Sequence, residues 1–113
     1  MDRTYKLDIL PPAQAELEEI ARIHLALSGP KSARDITDKI YAAMDQLTRF
    51  PLSGPAIRDE QLSAAGYRYI SAGKYLIFYR QFGDTVVIYH IAHSATDYPK
   101  LFKTMYFYSN PAK

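Results

Sequence analysis

The spacing of apolar residues divides the chain into a helical first part and a strand-like second part. Residues 5–10 alternate between apolar and polar positions, which predicts a half-buried strand with Tyr5, Leu7 and Ile9 on one face. Further along, apolar residues recur every three or four positions, which predicts an amphipathic helix that Ser28-Gly29-Pro30 brings to an end. The apolar stripe of this helix comprises Ala13, Leu17, Ile20, Ala21, His24 and Leu25.

A second amphipathic helix follows directly. Ser32 is its predicted N-cap, because Asp35 stands three residues later as in a capping box, and Pro51 prevents the helix from continuing. The connection between the two helices is so short that they must form an antiparallel helical hairpin. The apolar stripe of the second helix comprises Ala33, Ile36, Ile40, Ala43, Met44, Leu47 and Phe50.

Three strand-like segments follow, at residues 67–71, 74–81 and 85–93. Phe82-Gly83-Asp84, between the last two, is typical of a tight hairpin turn. Both long segments are apolar on two faces, which predicts central strands that the helical hairpin covers on one side.

The predicted fold is therefore α+β: a strand, an antiparallel helical hairpin and a three-stranded antiparallel meander that completes one sheet, followed by a short C-terminal helix or tail. The 113 residues are expected to form a single domain, with a core over residues 1–103 and a C-terminal tail over residues 104–113. The tail carries the aromatic run Tyr106-Phe107-Tyr108.

The composition excludes several classes of protein. Hydrophobic residues make up 48% and charged residues 23%, which is typical of a globular domain rather than of a disordered chain. The absence of cysteine excludes a disulfide framework, a thiolate metal site and a cysteine nucleophile. No apolar run approaches the roughly 20 residues of a membrane helix, and residues 1–8 are charged rather than signal-like. A cytoplasmic protein without a membrane partner is expected.

The two halves of the chain differ in charge. Residues 1–60 hold eight basic and ten acidic residues, a net charge of −2, whereas residues 61–113 hold six basic and two acidic residues, a net charge of +4. This asymmetry indicates either an anionic partner for the C-terminal half or simply a solvated basic face.

The candidate cationic site residues lie in the strand region. Arg68 has aromatic neighbours, so its guanidinium must reach the surface or meet an acid, for which Asp59 and Glu60 are the candidates. Lys74 and Arg80 flank an apolar strand, where charged residues also protect a sheet edge. If these three cations shared a face, they would form a patch suited to phosphate or to an acidic partner.

The histidines offer little for metal binding. His90 and His93 are three residues apart in one predicted strand, so they are expected on opposite faces, and neither a metal site nor a cofactor is predicted. Either could serve as an acid or base, because histidine titrates near neutrality. His24 is interpreted as a hydrogen-bonded packing residue.

The acidic residues early in the first helix are Glu16, Glu18 and Glu19. They are interpreted as a solvated helix start, where the helix dipole favours negative charge, rather than as a carboxylate site.

In the order of its predicted elements and in its length, the chain resembles the RelE/ParE superfamily of small toxins from bacterial toxin–antitoxin pairs. The resemblance extends from Tyr5 to about Phe102. It is carried by the phrases PPAQAELEEIARI at residues 11–23, SARDI at 32–36, LTRFPLSG at 47–54, GYR at 66–68, GKYLIFYR at 73–80, DTVVI at 84–88 and IAH at 91–93.

One branch of the superfamily, the RelE-like toxins, cleaves messenger RNA on the ribosome, which requires a base, an acid and cations around the phosphorane. The resemblance implies an arginine where this chain has Leu76, a second arginine in the stretch that is here Ser94-Ala95-Thr96, and a late tyrosine where Phe102 stands. These departures count against ribonuclease chemistry. If the chain is such an endonuclease, the candidate catalytic residues are Arg68, Lys74, His90 and His93.

The other branch, the ParE-like toxins, is described as inhibiting DNA gyrase by trapping it on broken DNA, without catalytic residues of its own. Its pattern tolerates an apolar residue at Leu76, favours an arginine such as Arg68 and accepts a turn such as His93-Ser94-Ala95-Thr96. The sequence therefore favours a ParE-like, non-enzymatic toxin with DNA gyrase as its target. The alternatives are a ribosome-dependent endonuclease, whose partners are the ribosome and mRNA, and a non-toxic member that acts as a binding module.

A cognate antitoxin is the second expected partner, in a toxin–antitoxin hetero-oligomer. The basic and aromatic C-terminal half offers both cationic and apolar contact surface for it. The residues expected to bind the target or the antitoxin are Arg68, Lys74, Arg80, His93, Tyr98, Tyr106, Phe107 and Tyr108.

Overall fold

In a computed structural model that describes residues 4–95, two long helices cover one face of a four-stranded sheet. The strand order is β1-β4-β3-β2. The elements are β1 (Lys6–Ile9), α1 (Pro11–Ser28), α2 (Pro30–Arg49), α3 (Glu60–Ala64), β2 (Arg68–Ala72), β3 (Tyr75–Phe82) and β4 (Thr85–His93). The predicted α+β class and the order of strand, helical hairpin and antiparallel meander are confirmed, while α3 was not predicted. The predicted short C-terminal helix or tail lies outside the described residues.

The sheet combines an antiparallel meander with one parallel pair. β2, β3 and β4 are antiparallel neighbours, and β1 pairs in parallel with β4, where Lys6 lies opposite Thr85. The hairpin between β3 and β4 turns through Gly83 and Asp84, and Gly83 has the positive φ of 62° that a two-residue hairpin requires. The predicted turn is therefore confirmed.

The helical hairpin is tighter than the sequence indicates. Gly29 alone separates α1 from α2, with a φ of 90°, and Pro30 starts α2 because its fixed φ suits the first helical position. The prediction that Ser32 is the N-cap is therefore wrong, since the helix begins two residues earlier. The Ser32 hydroxyl instead pairs with His24, and Asp35 forms an ion pair with Lys31 at 2.8 Å.

The core lies between the helical hairpin and the sheet. Most of the predicted stripe positions are buried or packed against the core, but Leu25 and Phe50 are exposed. Leu25 comes five residues after Ile20, about 140° around the helix, so it turns away from the sheet. Phe50 follows the last turn of α2 with an extended φ of −132°, which takes it off the helical face. The buried residues of this core are Ala13, Leu17, Ile20, Ile40, Met44, Leu47, Ala72, Ile77, Tyr79, Val86, Ile88 and Ile91.

The first strand follows its predicted alternation only in part. Tyr5 and Ile9 pack against the core, whereas Leu7 on the same face stays 38% exposed. Leu7 lies on an edge strand with a single neighbour, β4, so part of its side chain meets solvent.

A second apolar cluster lies on the opposite face of the sheet. Ile57 and Phe78 are each 1% exposed there, and Leu62 of α3 packs beside them. Asp59 caps α3 by accepting a hydrogen bond from the Leu62 N–H at 3.0 Å. The connection between α2 and β2 is therefore a structured cover over the start of β2, where Ala56 bridges Arg68.

A matched pair of leucine substitutions tests this distribution of burial. Leu47→Ala, at a fully buried position, is expected to lower the free energy of unfolding by about 2–5 kcal/mol, because it removes apolar contacts and leaves a cavity. Leu27→Ala, at a position that is 80% exposed, is expected to change it by less than about 0.5 kcal/mol. Urea unfolding followed by circular dichroism measures both values, and equal losses would contradict the structure.

Candidate functional site

The sheet face turned away from α1 and α2 carries most of the aromatic side chains of the strands. We call it the aromatic face and define it by Tyr67, Tyr69, Leu76, Phe78 and Tyr89. The Tyr67 and Tyr89 rings meet edge to face, with centroids 5.0 Å apart, and the Tyr69 and Phe78 rings lie 6.3 Å apart. Strand alternation explains this arrangement, because every second residue of β2 and β3 points to the same side.

Arg80 is the cation of the aromatic face. Its guanidinium carbon lies 5.1 Å from the centroid of the Tyr67 ring, 5.4 Å from that of Phe82 and 5.9 Å from that of Tyr89. One terminal nitrogen donates a 3.3 Å hydrogen bond to the Ala65 carbonyl. The ring faces hold the guanidinium electrostatically. Arg80 therefore stands as a fixed positive charge beside Phe82, which is 67% exposed.

Arg68 has a different role from the one predicted. Its guanidinium donates a 2.7 Å hydrogen bond to the Gly54 carbonyl, and it forms no ion pair with Asp59 or Glu60 within the described residues. The interpretation that it pairs with one of those acids is therefore wrong. Asp59 already accepts the capping hydrogen bond of α3. The backbone carbonyl of Gly54 needs a hydrogen-bond donor, and Arg68 supplies it.

Tyr79 completes this anchor from inside the core. Its hydroxyl accepts a 3.1 Å hydrogen bond from the Gly54 N–H, so Gly54 is held through both of its backbone polar groups. A side chain on Gly54 would collide with the Tyr69 carbonyl oxygen. Burial raises the pKa of the Tyr79 phenol above its ordinary value of 10.0, while the Gly54 N–H and the Arg68 charge lower it by less.

The three predicted cations do not form one patch. Arg68 of β2 lies directly opposite Tyr79 of β3, so their side chains point to the same face of the sheet. Arg80 follows Tyr79 in β3 and therefore points to the other face. Lys74 lies in the turn between β2 and β3, next to Tyr75, which is itself about 13 Å along the strand from Tyr79. Each cation thus belongs to a different part of the surface.

His93 lies at the same end of the sheet as Lys74. The carbonyl of Lys74 accepts a 2.9 Å hydrogen bond from the Ser94 N–H, and the His93 ring packs edge-on against Tyr75 with centroids 5.8 Å apart. The His93 Nδ1 accepts a hydrogen bond from the Ala95 N–H at 3.1 Å. This end of the sheet is therefore a compact turn region, separate from Arg80.

His90 is engaged with α1. It is 5% exposed, and its Nδ1 lies 3.0 Å from Oε2 of Glu16. The other carboxylate oxygen of Glu16, Oε1, accepts a 2.9 Å hydrogen bond from the Ile91 N–H. The interpretation of Glu16 as part of a solvated helix start is therefore wrong. Glu16 ties the first helix to β4 just past Ile88, the last residue of β4 that pairs with β1. Glu19, by contrast, pairs with exposed Arg22 on the helix surface.

No cluster suited to a metal ion is present within residues 4–95. Among the helices that the structure describes, none is long and apolar enough to cross a membrane. Of the predicted binding residues, Tyr98, Tyr106, Phe107 and Tyr108 lie outside the described residues.

Sequence reasoning missed Glu16, Gly54 and Tyr79 as organising residues. The signal for Gly54 was its place between two turn residues, Ser53 and Pro55, but nothing local showed which strand it would approach. Glu16 looked like its neighbours Glu18 and Glu19 because its partner is 74 residues away.

Two solved structures share this fold. A chain from "Chromosomal ParDE TA system from P. aeruginosa" superposes with a TM-score of 0.67 at 20% sequence identity, covering 80% of this chain and 97% of that one. A chain from "The crystal structure of the toxin-antitoxin complex RelBE2" from Mycobacterium tuberculosis superposes with a TM-score of 0.55 at 26% identity, covering 80% of this chain and 98% of that one. No curated protein matches the sequence.

The order of elements and these structural likenesses define the fold that the RelE/ParE superfamily of toxins adopts. The family model described as "ParE toxin of type II toxin-antitoxin system, parDE" matches residues 7–98. The chain therefore belongs to the ParE toxin family of type II toxin–antitoxin systems.

The anchor at Tyr79 makes a prediction about alkaline stability. A raised pKa means that the folded protein keeps the phenol proton to higher pH than the unfolded chain, so stability falls as pH rises above about 10. Tyr79→Phe should be less stable than wild type by about 1–3 kcal/mol at pH 7, because the buried Gly54 N–H loses its acceptor. Its further loss of stability between pH 9 and 11 should be smaller than that of wild type.

Urea unfolding at pH 7, 9, 10 and 11 measures both effects. Tyr41→Phe, at a position that is 43% exposed, is the matched control and should follow the wild-type profile. Parallel pH profiles for wild type and Tyr79→Phe would contradict the proposed burial of the phenol.

Proposed function

We propose that this ParE-family toxin inhibits DNA gyrase by binding it, without catalysing a reaction of its own. The ParE family match over residues 7–98 supports the ParE-like branch of the superfamily rather than the RelE-like branch. The observation that carries the proposal is the separation of the residues that RNA cleavage would need. Arg68 is bonded to the Gly54 carbonyl, His90 to Glu16, and Lys74 and His93 lie in the turn region at the far end of the sheet.

This separation favours binding over ribonuclease chemistry. Cutting RNA at a 2′-hydroxyl needs a base, an acid and a cation within hydrogen-bond reach of one phosphate. Arg68 and His90 are committed to structural hydrogen bonds on different elements. A protein that acts by binding needs only a surface that its partner can contact, such as the aromatic face with Arg80.

We further propose that a cognate antitoxin neutralises the toxin by covering part of the aromatic face. Both structural neighbours come from toxin–antitoxin systems. An acidic and apolar peptide segment would match Arg80 and the exposed Phe82 beside it, since fixed cations and aromatic surface favour such partners. Lys74, His93, Tyr98, Tyr106, Phe107 and Tyr108 remain proposed contact residues.

A supercoiling assay tests the target. Purified DNA gyrase, relaxed plasmid and ATP are incubated with and without micromolar toxin, and the products are separated on agarose gels. Gyrase inhibition predicts loss of supercoiling or accumulation of linear DNA. A parallel reaction with translating ribosomes and mRNA should leave the transcript intact.

The outcomes of these two reactions separate the alternatives. Transcript cleavage that His93→Ala or Arg68→Ala abolishes, with normal supercoiling, would replace the proposal by the endonuclease. No effect in either reaction, with the fold confirmed by circular dichroism, would favour the binding module and contradict gyrase inhibition.

The contact surface for the antitoxin is tested with a matched pair of arginine variants. Arg80→Ala should weaken antitoxin binding by about tenfold or more, because a rigidly held cation is lost from a desolvated contact. Arg34→Ala removes an exposed charge from α2 and should leave the affinity unchanged. Calorimetry with the cognate antitoxin measures both, and equal affinities for wild type and the two variants would remove Arg80 from the interface.

A further inference from the structure

The tip of the helical hairpin holds a second cluster of polar side chains, away from the aromatic face. A cavity of about 410 Å³ opens there between the end of α1 and the start of α2. Its lining includes His24 and Ser28 from α1, and Lys31, Ser32 and Lys39 from α2. The proposed function uses none of these residues.

A chain of hydrogen bonds runs through this cluster into the sheet. The Nδ1 of His24 lies 3.0 Å from the Ser32 hydroxyl, and its Nε2 lies 3.1 Å from the Tyr75 hydroxyl. The Tyr75 ring is itself packed edge-on by His93. The imidazole is therefore fixed on one side by β3 and directed on the other side at a serine on the cavity wall.

This arrangement has the geometry of an activated nucleophile. With the ring proton on Nε2, that nitrogen donates to the Tyr75 oxygen, and Nδ1 is left to accept the Ser32 proton. A hydroxyl within hydrogen-bond reach of a base, with the base oriented by a third group, is the recurring pattern of nucleophilic serines. Lys31 and Lys39 line the same cavity, and Lys31 is paired with Asp35 at 2.8 Å.

We propose that Ser32 is a nucleophile activated by His24, and that it is a site of covalent modification by electrophilic phosphorus compounds of the phosphoryl-donor class. In the reaction, the Ser32 Oγ forms a bond to phosphorus, the leaving group departs with the electron pair of its broken bond to phosphorus, and the serine proton moves to His24 Nδ1. The Lys39 ammonium stabilises the negative charge that develops on the phosphoryl oxygens. Tyr75 is a positioning residue.

The cavity favours this class of electrophile over a neutral acyl donor. Two lysines face it against the single carboxylate of Asp35, and that carboxylate is already paired. The local charge therefore suits a ligand that is anionic or becomes so in the transition state. The inference does not depend on gyrase or on the antitoxin, because the cluster lies outside the aromatic face.

Labelling of the intact protein with a fluorophosphonate probe tests the proposal. The Ser32 oxygen displaces fluoride from phosphorus, and mass spectrometry of the whole chain and of its peptides locates and times the adduct. Wild type should give one adduct, on Ser32. Ser32→Ala should abolish it, and Ser28→Ala, at a serine in the same cavity, should leave the rate unchanged.

Variants of the base and of its positioning residue complete the test. His24→Gln, which keeps a polar side chain, should slow labelling by about 100-fold, because a positioned general base contributes on that order. Tyr75→Phe should slow it less.

Circular dichroism confirms that each variant folds before labelling. Absence of a Ser32 adduct in folded wild type, an adduct only on other residues, equal labelling of Ser28, or an unchanged rate in His24→Gln would each overturn the proposal. Abolished labelling in Ser32→Ala together with slowed labelling in His24→Gln supports it, whatever the gyrase assay shows.

Discussion

Gly29 alone joins the two long helices, and this one-residue connection constrains the rest of the structure. Its positive φ of 90° reverses the chain, and Pro30 begins the next helix immediately. The helices must therefore return side by side, and their apolar stripes come to face the same sheet. The same reversal brings His24 next to Ser32, because the two residues lie at similar distances from the turn on adjacent helices. The core and the polar cluster at the hairpin tip thus have a common cause.

β3 divides the molecule into a structural side and a surface available for partners. Ile77 and Tyr79 face the helices, while Phe78 and Arg80 belong to the aromatic face. A strand that is apolar on both sides is what such a division requires, since each face needs its own packing. The Gly54 anchor belongs to the structural side, because Arg68 lies directly opposite Tyr79 in the sheet and both side chains hydrogen-bond to Gly54.

Local pattern predicted the elements well and long-range contacts poorly. The helical stripes, the hairpin at Gly83 and the central strands follow from periodicity and turn chemistry, which act over a few residues. α3 was missed because five residues are too few to show a helical period. The role of Glu16 depends on His90, and that of Gly54 on Tyr79, so neither could be found without the folded chain. The site was harder to predict than the fold, because which cations share a face depends on strand register and on which carbonyl needs a donor.

The pairing of the first strand with the last has a consequence for synthesis. Lys6 lies beside Thr85, so β1 has no partner until β4 has left the ribosome. Closing a loop of this length costs entropy that only the completed sheet recovers, and until then the apolar stripes of α1 and α2 have little to cover them. A nascent chain that stops before residue 85 therefore has neither the closed core nor the aromatic face. In the cell, folded toxin can therefore appear only after β4 has emerged from the ribosome.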